Sequence, residues 1–404
     1  MNFIFLWREN DWGLYRRRNE CLLYEFSKKD FVQSILHVEA LTLKSLAGLI
    51  VRWWQAKDPN VKQVYRLHFK KTFSLKPISI CKESKIYIYN LIITEYSENF
   101  LLKAINSFLI RQQTKIINKK FVQSKKNVVL IAYPPAIYLP ETISKIKHEI
   151  LIADLVDDVI VRTKNLAIKR KYIEVCKDIL PKCDWIFSTS PSLKEYKCYT
   201  DREIEFLPNG VDQYEFSHAF PEKILKNNNR KTVGYVGGLN HLLDLDVMEY
   251  VIACYPQIDF VLIGRIQREF SGMIYKIINR YKNCYYLGER KYSDIPAYLL
   301  SFDVLVSFKK DDFSTRGNDS MKVYQYLLSG KPVVTLPLTP ADRFADFVYL
   351  AKDKYQFVKY LKQALDENDS ELREKRIKVA AENAWEKRAD VILSRISTLL
   401  PLNP

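Results

Sequence analysis

Residues 318–338 read "NDSMKVYQYLLSGKPVVTLPL". A polar trio, Asn318, Asp319 and Ser320, opens a helical run, Gly330 closes it, and Pro332 begins a short apolar strand. Such side chains cap the free amides of a helix start, glycine suits the position past a helix end, and proline fits the first position of a strand. A helix feeding a fully apolar strand is half of a parallel α/β repeat. A plain capped helix explains Gly330 and Pro332 but not Lys322 and Gln325, one turn inside. The free amides with Lys322 suit an anion such as a diphosphate, and Gln325 and Tyr326 stand where a ribose would follow.

The same alternation continues on both sides. "TVGYVGGLN" (232–240), "DFVLIGRI" (259–266), "NCYYLGER" (283–290) and "FDVLVSFK" (302–309) read as buried strands separated by helices. An earlier series comprises "MNFIFLW" (1–7), "FVQSILHVEAL" (31–41), "SKIYIYNLIIT" (84–94), "NVVLIAYPP" (127–135), "EILIADLVDD" (149–158), "DWIFSTSPSL" (184–193) and "EIEFLPNGVD" (203–212). Helices are expected over 15–29 and over 99–121, the latter with Leu101, Ala104, Ile105, Phe108 and Leu109 as its apolar face. The polar connector "FPEKILKNNNRKT" (220–232) divides the two series. The expected fold is α/β, with two Rossmann-like parallel-sheet domains facing across a cleft. The expected bounds are 1–215 for the first domain and 216–384 for the second. Residues 385–404 form a helix crossing back to the first.

A chain of 404 residues fits two such cores. Seven scattered cysteines without a C-x-x-C pair indicate reduced thiols in the cytoplasm. No apolar run reaches the roughly 18 residues of a membrane span, and "MNFIFLWREN" is a poor signal peptide. The net charge is +16, and residues 51–150 hold 18 Lys/Arg against 6 Asp/Glu. Such a basic segment favours a phosphorylated substrate, nucleic acid or anionic lipid, or is a solvated lysine-rich surface. No nucleic-acid-binding module is recognisable, so nucleic acid is not expected as a partner. Trp53, Trp54 and the 99–121 helix, with Lys119, Lys120, Lys125 and Lys126, suit an anionic membrane surface.

Ligands of open α/β sheets bind beyond the carboxyl ends of the strands, and several polar residues stand there. Gly237 and Gly238 end one strand and permit close approach of a ligand to the backbone, although the spacing is not the dinucleotide G-x-G-x-x-G. Arg265 ends the next strand and suits a phosphate. Asp157 and Asp158 end "DLVDD", where a carboxylate can hold sugar hydroxyls or act as base. Asp11 and Trp12, soon after the first strand, are acceptor-side candidates. "DLD" at 244–246 reads as a helix cap rather than a metal site.

The order of "STSPSL", "LPNGVD", "VGYVGGL", "FVLIGRI", "NCYYLGER", "YSDIPAYLLSFDVLVSF", "NDSMKVYQYLLSGKPVV" and "NAWEKR" resembles that of retaining glycosyltransferases of the GT-B fold, in particular family four. The resemblance covers residues 128–390 clearly and 1–127 loosely. It implies a nucleotide-diphosphate sugar as donor, no metal requirement, and Asp157 as a contact to the transferred sugar. It places the donor diphosphate and ribose on Gly237, Gly238, Arg265, Asn318, Asp319, Ser320, Lys322 and Gln325. Two positions depart from the family pattern. Gln325 stands where the family has a ribose-binding glutamate, and Gly317 occupies the spacing of an earlier one; Arg316 or Asp319 are candidates to compensate. The expectation is a cytoplasmic glycosyltransferase, peripheral at the inner face of the membrane, acting on a cell-envelope polysaccharide or lipid-linked glycan. The rival expectation is a catalytically degenerate sugar-nucleotide-binding or scaffold protein of a glycan assembly pathway.

Overall fold

A computed structural model describes the chain except for residues 57, 75, 81–83, 95–98, 124, 222–223, 226–229, 311–316, 338–340 and 401–404, and the side chains at 43 and 341. The chain divides into two units, Met1–Pro208 with Glu386–Pro404, and Asn209–Trp385.

The first unit is built on an eight-stranded sheet in the order β3-β4-β2-β1-β5-β6-β7-β8. Its strands are β1 (Asn2–Trp7), β2 (Ser34–Leu41), β3 (Ile78–Ser79), β4 (Ile86–Ile92), β5 (Val128–Ala132), β6 (Ile150–Leu155), β7 (Trp185–Ser188) and β8 (Ile204–Phe206). All pair in parallel except β3, which runs antiparallel to β4 at the edge. Every residue of β1, β5 and β6 is buried, as the unbroken apolar runs require of strands covered on both faces. The order reverses between β1 and β5, so the crevice of this sheet lies beyond the carboxyl end of β1.

Helix α1 (Arg18–Ser27) follows β1 and is shorter than the 15–29 reading. Two helices that the sequence reading left unassigned, α2 (Leu43–Gln55) and α3 (Pro59–Thr72), join β2 to the β3–β4 edge. The 99–121 segment becomes α4 (Phe100–Ile117) and a π-helical turn, Asn118–Val122. Its buried face, however, is Ile110, Gln113, Thr114 and Ile117; Leu101, Ala104, Ile105 and Phe108 are exposed. The expected apolar face of that helix is therefore corrected.

The second unit carries a six-stranded, wholly parallel sheet in the order β11-β10-β9-β12-β13-β14. Its strands are β9 (Thr232–Val236), β10 (Asp259–Ile263), β11 (Cys284–Gly288), β12 (Val304–Ser307), β13 (Val333–Thr335) and β14 (Tyr349–Leu350). Numbered within the unit, this is the 3-2-1-4-5-6 order of a doubly wound nucleotide-binding sheet, with its crevice between the carboxyl ends of β9 and β12. Helix α5 (Met321–Leu328) leads into β13. The last helix, α6 (Trp385–Leu399), belongs to the first unit from Glu386 onward. There Arg395 pairs with Glu205 at 3.0 Å and covers the Trp185 ring.

Candidate functional site

In the second unit, the end of β9 and the start of α5 interlock. Gly237 (φ +147°) and Gly264 (φ +137°) both adopt backbone that side chains tolerate poorly. A Cβ on Gly264 would fall 2.1 Å from the Gly237 carbonyl oxygen, and one on Gly237 would fall 2.0 Å from Lys322 Cε. The bare turn is thus the bed on which the Lys322 stem lies. Its amine donates to Tyr235 Oη at 2.6 Å and sits 4.4 Å from the centre of that ring. Tyr235 in turn donates to the Gly238 carbonyl at 2.9 Å. Tyr326 ties α5 to the same strand, accepting from Val236 N–H at 2.9 Å and donating to Val236 O at 3.1 Å.

Lys322 has no carboxylate within ion-pair distance among the described residues. Burial, and then the charge of Lys309, push its amine down to about 7. A lysine so placed is a basic group with no counter-ion among the described residues, beside a helix start and the crevice that the strand order marks.

The trio at the helix start divides by role. Asp319, fully buried, accepts from Asn209 N–H at 2.5 Å, from Tyr324 Oη at 2.9 Å and from Arg343 at 2.7 Å. Its carboxylate is thus engaged inside the unit, where it holds the 209–210 turn. Ser320 is the N-cap but makes no capping bond through its side chain, contrary to the expected cap. Asn318 is buried with Oδ1 unpartnered, a costly state for a polar atom unless something else binds it. Gln325 is 9% exposed, one turn beyond Lys322. Arg265 is exposed at the end of β10, where its carbonyl accepts from Leu239 N–H at 2.9 Å. Arg316 lies outside the described residues. Asp244 caps the Leu245–Cys254 helix through Val247 N–H at 3.1 Å, the role read from "DLD".

In the first unit, the loop beyond β1 is held by a buried polar network. Glu39 of β2 accepts from the Asp11 and Trp12 amides at 3.0 and 2.9 Å and pairs with Lys71 of α3. His68 bonds Asn10 Oδ1 at 2.6 Å and the Trp12 carbonyl at 2.8 Å. Glu20, in the first turn of α1, accepts from Gly13 N–H, and burial holds its carboxyl well above the usual range. Arg18 and Asp154 pair at 2.7 Å, each side chain 1% exposed.

Asp11 sits inside this loop, accepting from Trp7 Nε1 at 2.9 Å and from Arg17. Burial raises its carboxyl to about 6, against the pull of Arg17 and with the push of Glu9 and Glu39. Trp12 is interior, packed against His37 and Tyr24, so its side chain contributes to the core instead of a binding surface.

Asp157 has φ +59°, and its carboxylate stands 3.4 Å from Arg162. It belongs to the same charge cluster, because Arg17 is held protonated, against burial, by Asp11, Glu9, Tyr15 and Asp157. Asp158 has another task, capping Val159–Arg162 through Val161 N–H at 2.9 Å and accepting from Tyr196 at 3.1 Å. Sequence reasoning missed Glu20, Arg17, Arg18, Glu39 and Lys71. The signal was a glutamate inside the otherwise apolar "SILHVEAL" strand and the charge run "RRRNE" one loop after β1.

No family model matches the chain, and no curated protein matches it. Solved structures do. Sucrose-phosphate synthase from Thermosynechococcus elongatus aligns over 100% of both chains at 12% identity, TM-score 0.68. HepE of Anabaena, in complex with UDP and glucose, aligns over 98% of this chain and 99% of its own at 12% identity, TM-score 0.66. The α,α-trehalose 6-phosphate synthase of Burkholderia multivorans aligns over 99% and 98% at 11% identity, TM-score 0.67. The fold is that of the GT-B glycosyltransferases, and these neighbours do not single out family four.

Proposed function

We propose that this chain is a glycosyltransferase that takes a nucleoside-diphosphate sugar in its second unit and transfers the sugar to an acceptor held by the first. The observation that carries the reading is Lys322, a cation with no counter-ion among the described residues. It lies on the glycine turn beyond β9, at the crevice of a nucleotide-type sheet. In this reading Lys322, Arg265 and the amides at the start of α5 receive the diphosphate, and Gln325 the ribose. They stabilise the charge of the departing nucleotide without calling on a metal. Asp157 faces the sugar or the acceptor hydroxyl, with Asp11 behind it on the shared Arg17. The bound UDP and glucose in the HepE complex support a uridine donor.

The acceptor is a cell-envelope polysaccharide or lipid-linked glycan, met at the inner face of the membrane; no helix among the described residues is long and apolar enough to cross one. Retention of anomeric configuration follows from the sequence resemblance. Calorimetric titration with UDP, and thermal shifts across a panel of nucleotide sugars, test the donor side, since a specific ligand raises the melting temperature. Absence of binding by any nucleoside diphosphate refutes the reading. The neutral Gln325 favours a second reading, a donor-binding protein without turnover; transfer or donor hydrolysis in the presence of acceptor excludes it.

A further inference from the structure

Two helices of the first unit are apolar on a face that none of the described residues covers. On α2, Leu49 is buried and Leu46 and Trp53 pack with it against Val61 and Tyr65 of α3, which satisfies the inner side. The other side carries Ala47, Ile50, Val51 and Trp54 at helical spacing, all exposed, with Trp54 80% exposed. On α4 the buried stripe runs through Ile110 and Ile117, while Leu101, Ala104, Ile105 and Phe108 form a second, exposed stripe continued by Phe100 at 86%. A helix apolar on both sides is normally enclosed, and exposed apolar patches of this kind mark an interaction site.

Both helices begin at the carboxyl edge of the sheet, α2 over the face that α3 covers and α4 over the opposite face, so the two stripes flank that edge from its two sides. Thr42, directly after β2, caps α2. The neighbouring strand β4 ends beside the middle of α4, where Gln113 bonds the Ile92 backbone and Asn106 accepts from Thr94 N–H at 3.0 Å. The first turns of α4 therefore project past the carboxyl edge. That edge also carries the loop of Asp11, bolted to α3 by His68 and Lys71.

The charge on these helices selects the occupant. α2 and α4 contain Lys44, Arg52, Lys103, Arg111 and Lys115 and no acidic residue. A second copy would oppose cation to cation, whereas an anionic bilayer neutralises them while taking the aromatic side chains. We infer that the projecting face of α2 and the first half of α4 docks on an anionic lipid surface, beside the acceptor-side loop. The inference is independent of donor chemistry, and it relocates the contact from Lys119, Lys120, Lys125 and Lys126. Lys119 and Lys120 lie roughly 28–30 Å along the helix axis from Phe100 at 1.5 Å per residue, and Lys125 and Lys126 lie beyond the end of the helix. Lys125 is occupied with Ser34 and the Phe121 ring.

The experiment is co-sedimentation of the full chain with phosphatidylcholine vesicles, with and without phosphatidylglycerol, at low and high salt. Binding should require phosphatidylglycerol and weaken as salt rises. The triple variant Trp54→Ser, Phe100→Ser, Phe108→Ser should reduce it by about tenfold or more, with an unchanged melting temperature because all three side chains are exposed. Neutralising Lys44, Arg52 and Lys103 to Gln should weaken it by about fivefold per residue, and the same change at Lys119, Lys120, Lys125 and Lys126 by less. No binding at low salt, or loss only in the last set, overturns the inference. So does a concentration-dependent dimer that the triple variant abolishes while vesicles are ignored. Nucleotide titration of the same protein keeps the two readings apart. A protein that binds UDP and not vesicles overturns this inference and the membrane-facing acceptor but leaves the donor assignment, and the converse overturns only the donor assignment.

Discussion

Replacing Lys322 by methionine keeps the length of the side chain on the glycine turn and deletes its charge. In the free protein the amine is half protonated at about pH 7, lowered by burial and by Lys309. A diphosphate beside it would favour the charged amine and raise it toward its ordinary range, so binding takes up a proton. The dissociation constant of the wild type should then rise, by up to about fifteenfold from about pH 7 to about pH 8.5, the limiting proton-linked factor for a group titrating at about 7. The second ionisation of a phosphate is largely complete by that range, and the variant cancels what remains of it. At neutral pH, Lys322→Met should lose roughly 1.5–3 kcal/mol, the worth of a charge-assisted hydrogen bond. Because half the amines are already neutral there, about 0.4 kcal/mol less is seen. The variant's profile should be flat.

Calorimetry of UDP binding in buffers of different ionisation enthalpy reads affinity and proton uptake together. Parallel pH profiles for the two proteins, or equal affinities, refute the assignment of Lys322. Stability carries the opposite sign. The folded amine titrates below its unfolded value, so between about pH 7 and the ordinary 10.5 the unfolded chain holds more protons and the wild type gains stability as pH rises. The methionine variant should therefore melt higher than the wild type by the largest margin at or below pH 7, and the margin should close toward alkaline pH.

Asp157→Asn should lower turnover far more than UDP affinity and leave the melting temperature in place, since asparagine also accepts the positive φ of that position; equal losses in activity and stability would make Asp157 a turn residue only. Gly237→Ala forces a Cβ to 2.0 Å from Lys322 Cε at φ +147° and should remove UDP binding with about 1–3 kcal/mol of stability, read by urea titration; an alanine variant that binds normally refutes the interlock. Asp154→Asn leaves Arg18 buried without its anion and should destabilise by about 3–5 kcal/mol, a loss absent if the pair is solvated in solution.

The strands were legible because a parallel strand covered on both faces must be apolar throughout, and runs such as "NVVLIA" and "DFVLIG" admit no other economical reading. The strand order was not, since nothing local in β1 or β9 states which strands flank it. Helices α2 and α3 were missed because apolar spacing does not show which side of a helix is covered: α2 carries apolar residues on a packed side and on an exposed side, and α3 buries His68, Lys71 and Thr72, which such a reading assigns to solvent. The same ambiguity produced the error on α4: two stripes exist, and spacing alone cannot say which one the sheet covers. In the proposed donor site, the places of Gly237 after a strand and of Lys322 and Gln325 near a helix start were legible. The roles of Asp319 and Asp158 were not, because a cap, a tertiary clasp and a ligand contact all use the same short carboxylate.

In the proposed donor site the departure at position 325 bears on the lysine as much as on the ribose. A glutamate at 325 would stand three residues after Lys322 on α5, a spacing at which opposite charges meet. It would return a counter-ion to the amine and raise it out of the neutral range. With glutamine there, a ribose hydroxyl meets a neutral acceptor, worth about 0.5–1.5 kcal/mol in place of about 1.5–3 for a charged one. Lys322 in exchange stays without a carboxylate among the described residues, and Lys309 adds to the positive field around it. The two effects are of similar size and opposite sign for a nucleoside diphosphate. The substitution therefore moves recognition from the ribose toward the diphosphate without abolishing it. Selectivity for diphosphate over nucleoside should be steep and sensitive to salt, as a contact made mainly by unpaired charge must be.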